Sequence, residues 1–119
     1  MTDYNVLFID DYSRTTDLDA SIIRKGERAY SGGILEQRLE KYDLVFLDLE
    51  TGKTMEEGVP LELSHKISKG RFYVTVPKEE NKKDARRYLL EWGAQSCFAM
   101  PMTHERIVRI LEWIGPKTA

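Results

Sequence analysis

The chain has 119 residues, a hydrophobic fraction of 41%, a charged fraction of 32% and a formal net charge of -2. That length suits one domain around a single core, and the mild acidity gives no electrostatic footprint for direct nucleic-acid binding. Cys97 is the only cysteine, which excludes an intrachain disulfide, and no apolar run approaches the roughly 20 residues of a membrane span. Met1-Thr2-Asp3-Tyr4 lacks the basic and apolar regions of a signal peptide, so the expectation is a cytoplasmic protein with no membrane contact.

Residues 5–10 read as a first strand, an apolar run (Val6, Leu7, Phe8, Ile9) that ends in the acidic pair Asp10-Asp11. Over residues 13–25, Leu18, Ile22 and Ile23 share one helical face, and Gly26 supplies a stop. Residues 27–31 predict a short strand, and Ile34, Leu35 and Leu39 a short amphipathic helix over 34–41. Residues 42–50 form a continuous apolar run bounded by charge, the pattern of a buried parallel strand, and it ends on Asp48. The polar, Gly-bounded stretch 51–58 predicts a loop. A helix over 61–69 turns Leu63 and Ile67 inward and stops at Gly70. The next buried strand, 71–76, is stopped by Pro77. Asn81 and Asp84 signal a helix start, with Ala85, Tyr88, Leu89 and Trp92 on one side and Gly93 at the end. Residues 96–100 make the last strand, closed by Pro101. Thr103 then caps a final helix whose inward stripe is Ile107, Val108, Leu111 and Ile114. Five alternating strand and helix units call for a parallel α/β sheet with helices on both faces, and a doubly wound five-stranded sheet is the simplest arrangement.

In such sheets ligands bind outside the carboxyl ends of the strands. Asp10, Asp11 and Asp48 would bring three carboxylates to that rim. Such a set suits a divalent cation, and a carboxylate beside a cation can attack phosphorus. Each residue also has an ordinary role. Asp48 can be a solvated strand end or a helix cap, Thr75 an ordinary strand residue, and Met100 and Cys97 core residues. His65 and His104 fall on polar helix faces and are expected in solvent. Lys78, Lys82, Lys83, Arg86 and Arg87 form a basic cluster, either a solvated face or a docking surface, and Lys53 and Lys78 lie on rim loops.

Asp10-Asp11, Asp48, Thr75 within Tyr73-Val74-Thr75-Val76, Gly93-Ala94 and Met100-Pro101 together carry a resemblance. Over essentially its whole length the chain resembles the receiver domain of bacterial two-component response regulators. The resemblance implies the flavodoxin-like sheet of order 2-1-3-4-5 and a place in a phosphorelay. Asp48 would accept a phosphoryl group from the phosphohistidine of a sensor histidine kinase or a phosphotransfer protein. Mg²⁺ would be held by Asp10, Asp11, Asp48 and the backbone carbonyl of Glu50, and Thr75 would move toward the phosphoryl oxygens. Output would pass through the fourth helix, fifth strand and fifth helix to a downstream protein or a homodimer, with no enzymatic activity beyond slow autodephosphorylation. The chain also departs from the family. Met100 occupies the place of a lysine whose contact with the phosphoryl group is worth very roughly 1.5–3 kcal/mol. Cys97 stands where the family has its switch aromatic, with Phe98 adjacent. Thr51-Gly52 follow Asp48 where Met-Pro is common, and the connection from the first to the third strand is several residues short.

These departures leave a second reading, a pseudo-receiver that binds partners without phosphorylation. A third is a metal-dependent exonuclease or phosphatase, since 46–52 (Phe46-Leu47-Asp48-Leu49-Glu50-Thr51-Gly52) resembles the first acidic motif of such enzymes. Such enzymes need later carboxylates. Those downstream of Gly58, namely Glu62, Glu79, Glu80, Asp84, Glu91, Glu105 and Glu112, fall mostly on polar helix faces.

Overall fold

In the computed structural model the described residues are 4–9, 26–29 and 38–115. Three of the apolar runs become strands with every residue buried: β1 (Val6–Ile9), β3 (Leu44–Asp48) and β4 (Phe72–Val76). Strands buried on both faces need helices on both sides, which is the parallel α/β solution. With β5 (Ser96–Ala99) they form an all-parallel sheet in the order β1-β3-β4-β5. A further strand, β2 (Gly26–Ala29), begins on the glycine expected to stop a helix. The helix expected over 13–25 and the acidic pair Asp10-Asp11 lie outside the described residues.

Strand alternation divides the core in two. Leu7, Ile9, Val45, Leu47, Val74 and Cys97 face one side, where they meet Leu63, Ala85 and Trp92. Val6, Phe8, Leu44, Phe46 and Tyr73 face the other, where they meet Met102, Ile107 and Ile110. Each large apolar side chain so buried contributes about 1.5–3 kcal/mol. An exposed ion pair contributes about 0–1 kcal/mol, so the two apolar layers hold the sheet.

The connections depart from the sequence expectation in instructive ways. Residues 51–58 are not simply a loop: α1 (Leu49–Thr54) starts directly after β3. α2 (Val59–Lys66) starts and ends earlier than the expected 61–69. Pro60 is accepted in its first turn, where its missing N–H costs nothing, and Ile67 closes the helix in an extended conformation. Of the helix expected over 34–41, the described part is a 3-10 turn, Leu39–Lys41. α3 (Lys82–Trp92) follows a 3-10 turn at Glu79–Asn81. Asn81 precedes it without a side-chain cap, and Gly93 ends it at φ 74°, in the left-handed region that glycine enters without penalty. α4 (His104–Ile114) is capped as expected: the Thr103 side chain accepts from the Arg106 N–H at 3.2 Å. Its inward stripe is wider than expected and includes the buried Ile110. The buried Arg71 ties the start of β3 to the end of α4 by donating to the carbonyls of Asp43 and Gly115, each at 3.1 Å.

Candidate functional site

β3 and β4 bring Asp48 and Thr75 into direct register at their carboxyl ends. Both are buried, at 2% and 5% exposure. Thr75 is in turn opposite Phe98 of β5, so the aromatic beside the threonine is Phe98; Cys97 is opposite Val74 and points into the layer beneath α3. The Phe98 ring packs 5.2 Å from that of Tyr73. Met100, half-buried, closes the β5 tip and leads into a cis peptide with Pro101. Its thioether faces the α4 layer and carries no donor or charge.

The Asp48 carboxylate is the N-cap of α1. Its Oδ2 accepts from the backbone N–H and from the hydroxyl of Thr51, both at 3.1 Å. An acidic cap satisfies an otherwise orphaned helix N–H and sits favourably at the positive end of the helix. Thr51 is therefore a site residue that the sequence reading passed over. The available signal was an acidic residue three positions before a threonine, directly after an apolar run. Glu50 lies exposed in the first turn of α1.

Lys53, one of the two rim lysines, is committed elsewhere. Its ammonium donates to Asp84 of α3 at 2.6 Å, lies 3.8 Å from Glu50 and sits 5.5 Å from the Tyr88 ring centroid. The hydrogen bond to Asp84 raises the Lys53 pKa above its ordinary 10.5 and holds the Asp84 carboxyl below its usual value. Lys78 is exposed beyond the β4 tip. Beneath Lys53, Gly52 approaches α3 so closely that a Cβ there would come within 2.5 Å of the Trp92 ring.

The remaining candidates separate. His65 is exposed, as expected. His104 is not simply solvated: its Nδ1 shares a 2.6 Å hydrogen bond with the hydroxyl of Tyr4. In the basic cluster, Lys82 pairs with Glu79 at 3.0 Å and Arg87 with Asp84 at 3.5 Å. Of the four ligands implied for Mg²⁺, the described residues contribute the hard carboxylate of Asp48 and the Glu50 position; Asp10 and Asp11 are the pair outside them. Among the described residues no three His, Cys, Asp or Glu side chains gather as a metal site. Nor, among them, is any helix long and apolar enough to cross a membrane. No family model, curated protein or solved structure matches this chain.

Proposed function

We propose that the chain is a single receiver-like signalling domain whose Asp48 accepts a phosphoryl group from the phosphohistidine of a sensor histidine kinase or phosphotransfer protein. The observation that carries this reading is the register of Asp48 with Thr75 at adjacent carboxyl ends of a parallel sheet. A transferring group would lie between that carboxylate and that hydroxyl. Taking β2 as the strand outside β1 gives the flavodoxin-like order β2-β1-β3-β4-β5.

In the transfer, an Asp48 oxygen attacks phosphorus and the phosphorus–nitrogen bond breaks. The imidazole leaves with the bonding pair. Thr51 holds Oδ2, which leaves Oδ1 as the attacking oxygen, and because the residue is buried that oxygen must first become accessible to the phosphohistidine. The Thr75 hydroxyl donates to a phosphoryl oxygen. Met100 brings no positive charge, so retention of the phosphoryl group is weak. Mg²⁺, held by Asp10, Asp11, Asp48 and the Glu50 carbonyl, would neutralise charge on the transferring group when bound. Output runs through the α3-β5-α4 face to a downstream protein or a homodimer.

Intact mass after incubation with acetyl phosphate and Mg²⁺ tests this directly. One added phosphoryl group is expected on the wild type and none on Asp48→Asn. No adduct, together with no Mg²⁺ binding by titration, overturns it. One observation favours the second reading, a pseudo-receiver: Asp48 is already buried and engaged as the cap of α1, with a thioether at the β5 tip. Asparagine is as good an N-cap as aspartate, so Asp48→Asn keeps the fold. Under the second reading this variant binds its protein partner as the wild type does.

A further inference from the structure

A groove of about 470 Å³ runs between the turn joining α1 to α2 and one flank of α3. Its floor is apolar and aromatic, from Met55, Leu61, Tyr88 and Trp92. Its rim is acidic: Glu56, Glu57 and Glu91 are exposed and have no ion pair among the described residues. Lys53, the one cation lining it among the described residues, is already paired with Asp84 and Glu50. The groove therefore suits an apolar side chain surrounded by cations.

The other flank of α3 carries that pattern. Leu90 is 93% exposed. Lys83, Arg86 and Arg87 stand seven, four and three residues before it and so share its stripe of the helix. Lys83 and Arg86 are exposed, with no ion pair among the described residues. A solitary exposed leucine is ordinary. This one is ringed by cations, and the same chain carries the complementary groove. Leu90 and Glu91 are neighbours, so Leu90 lies about 100° around α3 from the acidic rim of the groove and at nearly the same height. A two-fold axis running along two side-by-side α3 helices sets the basic flank of each copy against the groove of the other, closing both contacts at once.

We infer that the partner for this groove is a second copy of the chain, with Leu90 of each copy seated over the Met55, Tyr88 and Trp92 floor of the other and Lys83 and Arg86 facing Glu56, Glu57 and Glu91. The contact is small and charge-guided, so the dimer is weak and sensitive to salt. It does not depend on phosphoryl transfer.

Sedimentation velocity of the full chain over a range of concentrations tests the pairing, using two charge-reversed variants whose folding is checked by circular dichroism. One reverses the groove (Glu56→Lys with Glu57→Lys) and the other the helix face (Lys83→Glu with Arg86→Glu). The wild type should shift from monomer to dimer, with a Kd weakened about tenfold or more by added salt. Each variant alone should stay monomeric, and an equimolar mixture of the two should dimerise again, since each reversed surface then meets its opposite. A wild type that stays monomeric to near-millimolar concentration overturns the proposal. So does a dimer indifferent to both variants, or a mixture that remains monomeric.

Discussion

α3 and α4 cover opposite faces of one sheet and are held there by different means. α4 is fastened to main chain. Thr103 caps it, and the Arg106 guanidinium reaches back to the carbonyls of Ala99 and Pro101 while lying 5.8 Å from the Phe98 ring centroid. α3 has no side-chain cap, and its polar tie runs sideways to α1 through Lys53 and Asp84. Its indole contact, Trp92 on Gly52, is also with α1. Since α1 begins on the Asp48 carboxylate, α3 is coupled to the candidate site through side chains, whereas α4 is fixed to the sheet edge.

The largest expected effect is on the apolar part of that coupling. Trp92→Ala removes a buried indole from the α1–α3 contact and should cost about 3–5 kcal/mol in urea unfolding. A loss below about 1 kcal/mol would mean that α3 does not dock through this residue. A smaller effect is expected at the cap. Asp48→Ala should cost about 0.5–2 kcal/mol, with amide exchange quickening in α1 and α3 while α4 keeps its protection. Equal loosening of α4 would erase the contrast. The smallest effect concerns Lys53 and Asp84. Asp84 has a lowered pKa, so its share of stability is present above the ordinary carboxylate range and fades as pH falls through the folded value. Lys53 has a raised pKa, so its share is present below its ordinary 10.5 and fades as pH rises through the folded value. The stability difference between wild type and Lys53→Met should therefore be flat near neutrality and shrink at both extremes. The pair is partly exposed and so screened by solvent, and this difference should be the least of the three. A difference independent of pH would leave the Lys53 stem, not its charge, as what matters.

Much of the fold was legible in the sequence because β1, β3 and β4 are fully buried and read as apolar runs; Leu44–Asp48 and Phe72–Val76 needed no further cue. The cap at Thr103 was equally plain. α1 was hidden by its own composition. It is too short to show a period, and Gly52 inside it reads as a loop residue, although glycine is there because Trp92 leaves no room for a Cβ. The contact of His104 with Tyr4 joins residues a hundred positions apart, which no local pattern reports. At the candidate site, Asp48 and Thr75 were each readable as strand ends. Their adjacency is a property of the register between β3 and β4. That Phe98 and not Cys97 is the neighbour of Thr75 is a property of the register between β4 and β5, which the resemblance alone did not fix.

The close approach of Gly52 to Trp92 has a spectroscopic consequence. The chain has two tryptophans, and they occupy opposite environments: Trp92 is 5% exposed against α1, while Trp113 is 77% exposed on α4. Acrylamide should quench Trp113 first, leaving a blue-shifted emission that belongs to Trp92. That residual band reddens only when α1 lifts from α3, so the unlabelled protein carries its own optical reporter of the contact that leads to Asp48.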